Sequence, residues 1–322
     1  MPYVQLPSAA SEELAAAAQV RWNAVLAARP DLAPAVDLQR RLLARVIELE
    51  QTIERSRLPR LSLPPKYLAA KLSRGVPALS GEPIPLPVAV LTDTLRHLCG
   101  ELAESGAREA AEHIRAAVES GGLDAGSLLA ASLARDQAAI RSGAVHRGLA
   151  PDLVWLVAEL AVAPLVHALQ RALFAPADQR HSGPSPSGSD LLMTALDNWK
   201  HGHCPACGSW PAMAEVVEGH RTLRCSFCAA AWELTTYACV YCAEAGGPFV
   251  TAAPDEERKD RRVELCASCA SYLKTVDTDV LSPFPLLSIG DLETMDLDVA
   301  AMEHGYVRPP LKDFTRHPAS HH

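Results

Sequence analysis

Positive charge is in short supply in this sequence of 322 residues. Its 30 Lys and Arg are outnumbered by 38 Asp and Glu, for a formal net charge of −8. Nonspecific nucleic-acid affinity comes mainly from Lys and Arg neutralising phosphates, so no nucleic-acid partner is expected. The sequence also lacks an apolar run long enough for a bilayer. The longest, Leu153 to Val166, is 14 residues and contains Glu159 and Pro164, whereas a spanning helix needs about 20 apolar residues. That run reads as a core helix, and no stable membrane insertion is expected. The opening stretch MPYVQLPSAASEELAAAAQ has no basic region ahead of an apolar core, so it does not read as a secretory signal. The expected compartment is the cytoplasm, where thiols stay reduced. There is no Walker loop, dinucleotide fingerprint, nucleophile elbow or zinc-protease helix. No residue stands out as catalytic, and the chain is not expected to be an enzyme.

What is present changes character along the chain. Val36 to Arg55 places Leu38, Leu42, Leu43, Val46, Ile47, Leu49 and Ile53 mostly three and four residues apart, the spacing of an amphipathic helix. Leu58 to Pro87 holds seven prolines and must be largely irregular, with a short helix at PKYLAAKL, and is expected to wrap the helical body. Helical patterns resume at Val88 to Leu102, Ala107 to Val118, Ser127 to Arg141 and Pro151 to Phe174. The segment APADQRHSGPSPSGSD at 175–190 has no apolar period that could offset the entropy of ordering it. Beyond it come short strand-like runs, MAEVVEG, HRTLRC and AWELTTYAC, each beside a cysteine pair. The expected class is α+β: an all-helical N-terminal domain (1–174), a linker rich in Pro, Ser and Gly (175–198), two small tandem rubredoxin-like or zinc-ribbon domains (199–236 and 237–276) and a C-terminal tail with a short helix (277–322).

Eight of the nine cysteines form four Cys-x-x-Cys pairs: Cys204/Cys207, Cys225/Cys228, Cys239/Cys242 and Cys266/Cys269. Two intervening residues let one tight turn present both thiolates to a single ion. Glycine after the second cysteine, as at Gly208, suits the left-handed backbone that ends such a turn, whereas the other three pairs have alanine there. Gaps of 17 residues within the first two pairs and 23 within the last two leave room for a strand, a turn and a strand, as in rubredoxins and zinc ribbons. Sequential pairing, with one site from the first four cysteines and one from the last four, is favoured. A cross-brace is the alternative, because the 10-residue connector between Cys228 and Cys239 permits either. Four thiolates close the coordination sphere, which argues against hydrolytic metal catalysis, and they suit iron as well as zinc. His201 and His203 are expected to be exposed rather than ligands. Trp232, Tyr237 and Tyr272 are expected in the ribbon cores, DEERKDRR at 255–262 on a solvated hairpin tip, and Cys99 as a buried small hydrophobe.

At CPACGSWP (204–211), LRCSFCAAAWEL (223–234), CVYC (239–242) and ELCASCASYLKTVD (264–277), the chain resembles the formate dehydrogenase accessory protein family, FdhE. Gly208 and Ser209 after the first pair, Trp232 four residues beyond Cys228, and the Tyr272-Leu273-Lys274 tail fall where that family has them. Weaker agreement extends to the proline-rich segment, the helix around 153–173 and DLDVAAMEHGY at 296–306. The resemblance implies a cytoplasmic assembly factor for respiratory formate dehydrogenase, with a helical N-terminal domain and tandem rubredoxin-like modules binding iron in two sites, with zinc the alternative. It further implies a partner, the molybdenum- or tungsten-containing catalytic subunit of formate dehydrogenase before export. The eight cysteines carry over as ligands. Thr235-Thr236-Tyr237 departs from the basic residue expected there, which bears on the partner surface and not on the metal sites. Competing readings are a zinc-ribbon nucleic-acid-binding protein, disfavoured by the acidic balance, and a rubredoxin-type electron carrier, which would not need the helical half. The sequence leaves homodimer formation, the metal in each site and the identity of the dehydrogenase open.

Overall fold

Prolines and aspartates decide where the helices start. A computed structural model describes residues 3–4, 6, 11–57, 61–175, 186–253 and 259–310. After strand β1 (Tyr3–Val4), helix α1 covers Ser11–Ala28 and α2 Ala33–Ser56. Pro34 sits in the first turn of α2, where a missing N–H has no intrahelical partner to lose. Helix α3 (Pro65–Leu72) starts on proline for the same reason. There follow α4 (Val88–Leu102), α5 (Arg108–Glu119), α6 (Ala125–Leu133), α7 (Gln137–His146) and α8 (Pro151–Phe174), the last again opening on proline. The single helix expected over Ser127 to Arg141 is broken in two. Arg135 takes a left-handed backbone, φ 60°, and Asp136 caps α7 by accepting from the Ala139 N–H at 2.9 Å. Asp124 caps α6 through the Ser127 N–H, and each cap satisfies a donor that the helix start would otherwise orphan.

The chain divides into two compact units. The helical unit comprises Ala9–Leu61 and Gly81–Leu169, and within it α4 packs against α2, α5 and α6. Leu91, Leu95, Leu98, Cys99 and Leu102 line the buried face of α4, opposite a polar face that ties to α2 through Arg45 and Glu101 at 2.7 Å. Cys99 is buried as expected, and that burial pushes its thiol up to about 11. Helix α8 is long and apolar enough to cross a membrane by length and composition, yet 67% of its most apolar window is buried inside the protein. Val157, Ala158, Ala161, Val162, Leu165 and Val166 expose no surface, which makes this a core helix.

The second unit, Met1–Ser8, Ser62–Ser80 and Gln170–His322, holds α9 (Pro186–Asp197), strands β2 (Pro211–Val217), β3 (His220–Cys225), β4 (Ala231–Glu233), β5 (Phe249–Ala252), β6 (Arg261–Cys266) and β7 (Ser271–Asp277), then α10 (Leu287–Glu293) and α11 (Met295–Glu303). The α+β class is as expected, a helical part followed by a sheet region. The arrangement of the ribbons was not legible beforehand. Their strands join in one seven-stranded sheet, ordered β1-β4-β3-β2-β7-β6-β5, and the seam is a parallel pairing of β2 with β7, Met213 opposite Lys274 through Val216 opposite Asp277. Arg221 on β3 reaches across to Glu264 on β6 with two bonds of 2.6 and 2.5 Å. Glu264 also accepts from Thr275 at 3.0 Å, so its buried carboxylate has partners on both sides of the seam.

Three segments sit differently from expectation. Tyr3 and Val4, placed with the helical domain by the sequence, form the edge strand beside β4. The Tyr3 hydroxyl donates to Gln170 at 2.5 Å and its ring packs edge-on against Phe174. The proline-rich segment, expected to wrap the helical body, contributes α3, which packs on α9, and the N–H groups of Ala78 and Leu79 donate to the Pro205 and Ala206 carbonyls at 2.8 and 2.9 Å. Residues 186–197 of the expected linker are helix α9, while 176–185, and 255–258 of the segment expected to form a hairpin tip, lie outside the described residues. The C-terminal segment brings two short helices rather than one. Buried Lys274 pairs with Asp291 of α10 and Asp298 of α11 at 2.7 and 2.6 Å.

Beneath β2 and β3, Arg224 and Glu215 form an ion pair with almost no solvent exposure. Arg224 also donates to the Ser282 carbonyl at 2.6 Å, and Glu215 accepts from the Ser282 N–H. Removing one member strands a buried charge. Arg224→Met is therefore expected to lower unfolding stability of this unit by about 3–5 kcal/mol. The Arg224→Met, Glu215→Leu double variant should recover a large part of that loss, and urea midpoints of the two variants measure the difference.

Candidate metal centres

Each Cys-x-x-Cys pair occupies a tight turn outside the strands or at the end of one, and the residue after each second cysteine has a left-handed backbone: Gly208 at φ 82°, Ala229 at 52°, Ala243 at 64° and Ala270 at 51°. The conformation follows from the task. Two sulfurs three residues apart can face one point only if the chain reverses at once, and the reversal closes with Gly208 N–H on the Cys204 carbonyl at 3.0 Å and Ala243 N–H on the Cys239 carbonyl at 2.9 Å. Three alanines accept a conformation that costs an L-residue roughly 1–2 kcal/mol. The turns also aim backbone N–H groups at sulfur: Ala206 on Cys204 at 3.3 Å, and Phe227 and Cys228 on Cys225 at 3.4 Å.

The eight sulfurs gather in two groups of four, Cys204, Cys207, Cys225 and Cys228, and Cys239, Cys242, Cys266 and Cys269, with all sulfurs of a group within 4.8 Å of one another. The sequential arrangement is the one formed. In the first group Cys204 lies 3.6 Å from Cys228 and Cys207 3.4 Å from Cys225. In the second, Cys239 lies 3.7 Å from Cys269 and Cys242 3.5 Å from Cys266. These separations are far beyond a disulfide bond of about 2.05 Å. A tetrahedron with metal–sulfur bonds of about 2.3 Å sets its sulfurs about 3.8 Å apart, close to what is seen. The donor set and spacing fit a tetrathiolate ion, and both groups could hold one.

The two groups differ in their surroundings. All four thiols of the first are buried, whereas in the second Cys242 is exposed and Cys269 partly so. Burial, reinforced by the neighbouring thiols, pushes Cys204 and Cys228 well above the ordinary thiol range. Such desolvated sulfurs ionise only when a cation compensates them. Phe227 and Trp232, close in sequence to Cys228, are buried as well.

Trp232 and Tyr272 are buried, as expected of ribbon cores. Tyr237 is not: it is 54% exposed, under Arg221 at 5.2 Å and beside Phe249. His201 is exposed as expected, but His203 is buried. Its ring stacks on His201 at 5.0 Å and meets Trp199 edge-on at 5.1 Å, while its carbonyl accepts from the Trp199 indole at 2.9 Å. Neither histidine belongs to a four-sulfur group. Sequence reasoning passed over Gly202, Trp210 and Tyr241, which join the first and third turns. Trp210 meets Tyr241 edge-on with ring centres 5.0 Å apart, and a Cβ on Gly202 would fall 1.9 Å from the Val240 carbonyl oxygen. The available signal was an aromatic residue inside or just after each of those two cysteine pairs.

No protein-family model matches the chain. Among curated proteins it is similar to a protein FdhE homolog of Pseudomonas putida, 37% identical over 117 residues, one of Haemophilus influenzae, 34% identical over 117 residues, and one of Aquifex aeolicus, 29% identical over 127 residues. These matches cover 33%, 35% and 37% of this chain and 36%, 38% and 44% of the respective relatives, less than half of each relative's length. In fold it is similar to the crystal structure of the FdhE protein from Pseudomonas aeruginosa, with a TM-score of 0.57 and 21% identity over 98% of this chain and 99% of that one. The sequence likeness lies over about a third of this chain, and the likeness to the crystal structure shows a shared fold.

The left-handed alanines give a direct test of the turn geometry. Ala243 is exposed, so Ala243→Gly removes backbone strain without opening a cavity. The variant should stabilise the metal-loaded protein by about 1 kcal/mol, read as an increase in thermal midpoint. An ordinary alanine-to-glycine change would lower it.

Proposed function

We propose, from its likeness to the FdhE family, that this chain is a nonenzymatic cytoplasmic accessory protein for formate dehydrogenase. In this reading it binds the enzyme's catalytic subunit and carries two metal ions in its four-cysteine groups. The observation that carries the reading is the assembly of all eight family-matched cysteines into two compact tetrads on one sheet. Cys204, Cys207, Cys225 and Cys228 would hold one ion and Cys239, Cys242, Cys266 and Cys269 the other. Iron is favoured by the family resemblance, and zinc is accommodated by the same donor set. Four thiolates leave no coordination position for water or substrate, so each ion serves as a staple for the sheet or as a one-electron centre. A reading as nucleic-acid-binding ribbon gains nothing from the structure, since basic Arg221, Arg224 and Arg262 are each engaged with a carboxylate.

Protein isolated without oxygen should hold two ions per chain, red in colour if ferric and colourless if zinc. Cys204→Ser and Cys239→Ser should each lose one ion, fail to capture the catalytic subunit and fail to restore formate oxidation in a strain lacking this protein. If both variants capture the subunit and support maturation normally, the ribbons do not carry the function. Zinc-loaded protein that captures the subunit but does not support maturation would assign the metal a redox role, because zinc keeps the geometry and carries no redox electron.

A further inference from the structure

The two tetrads are alike in ligands and unlike in exposure, and segments that carry them are in contact. The first is enclosed: its four thiols are buried, the Pro205 and Ala206 carbonyls of its first turn are bonded by Ala78 and Leu79, and the Ser226 N–H in its second turn donates to the Trp210 carbonyl at 3.2 Å. The second adjoins the edge strand β5, which pairs on one side only, with Phe249 opposite Cys266 of β6. Cys242 is exposed, Cys269 is partly exposed, and Ala243 beside them is exposed.

Contact between the residues flanking the first turn and the Cys239–Cys242 turn is made by backbone and rigid rings. The Cys239–Cys242 turn lies with its Val240 backbone against Gly202, where even a methyl group would collide, at 1.9 Å from the carbonyl oxygen and 2.5 Å from its carbon. Tyr241, in the middle of that turn, meets Trp210 edge-on and donates its hydroxyl to the Tyr272 carbonyl at 3.1 Å. The residues flanking the first turn therefore serve as the platform on which one half of the second tetrad rests. The other half, Cys266 and Cys269, hangs from β6 and β7.

We propose that the second tetrad is an exchangeable site for a soft divalent cation, Zn²⁺ or Fe²⁺, open to capture by an external chelating ligand, while the first is a permanent structural site whose turn holds the second in register. This rests on the reading that both tetrads bind metal. Exchange by an incoming ligand needs access to the ion and a sulfur that can swing away. Exposed Cys242 offers both, and no thiol of the first tetrad does. The first ion leaves only after the unit opens, a rarer event than local release of a surface turn.

The test uses the full chain loaded with zinc and challenged with pyridylazoresorcinol, whose colour reports each ion removed. Release should occur in two phases of one ion each, separated by about tenfold or more in rate. Iodoacetamide added between the phases should label Cys239, Cys242, Cys266 and Cys269 and spare Cys204, Cys207, Cys225 and Cys228. Tyr241→Leu, which removes the ring contact but no ligand, should quicken the fast phase several-fold and leave the slow phase unchanged. Gly202→Ala should do the same, and Tyr241→Leu decides the matter if Gly202→Ala does not fold. Release in a single phase, or labelling of the first tetrad before the second, overturns the proposal, as does a Tyr241→Leu variant that quickens both phases equally. A chain that takes up no zinc overturns the metal reading itself, a separate outcome.

Discussion

A cation among four thiolates is the interaction on which the sheet unit depends. Eight sulfurs lie in two groups with separations of 3.4 to 3.7 Å between neighbours. Ionised without a cation they would repel, and protonated they would contribute little. Filled, each group ties a turn at one end of a hairpin to a turn at the other. Binding energies of such sites are on the order of 10 kcal/mol at neutral pH, and because the site does not exist in the unfolded chain they are also folding energies. That scale explains how three alanines can be held in left-handed backbone and how Arg224, Glu215, Glu264 and Lys274 can be buried as ions in so small a sheet.

The parallel seam of β2 and β7 makes the two ribbons one object. Two independent ribbons would each expose unpaired edges, a standing hazard for association. Joining them removes two edges, and β1 covers the outer side of β4. The paired arginine and glutamate at 221 and 264 hold register across the join. The C-terminal helices add a second layer through Asp291 and Asp298 on Lys274 and through Ala301 against Val263 and Tyr272.

Local signals were legible in the sequence and long-range pairings were not. Val88–Leu102 and Pro151–Phe174 match the expected helices because apolar spacing and a first-turn proline are written locally. The break between α6 and α7 was also written, in Asp136 as a cap, but a continuous alanine-rich pattern concealed it. Cysteine spacing favoured the sequential tetrads, since a 17- or 23-residue gap suits one hairpin. Nothing local could show that Tyr3 pairs beside Trp232, that residues 78–79 bond to the first turn, or that β2 accepts β7 in parallel. These are choices made by packing between segments far apart in sequence. Tyr237 left its expected environment for the same reason, lying exposed under Arg221 of β3, whereas His203 is buried among the nearby rings of Trp199, His201 and Trp210.

Hydrogen exchange of the full chain, with and without its metal ions, tests most directly whether the ions hold the sheet unit together while the helical unit stands by its own core. On removal of both ions, amides of β2, β3, β6 and β7 should lose their protection, whereas those of α4, α5 and the first four turns of α8 should keep theirs. Sheet amides that stay protected in metal-free protein, or helical amides that lose protection along with them, would contradict this account.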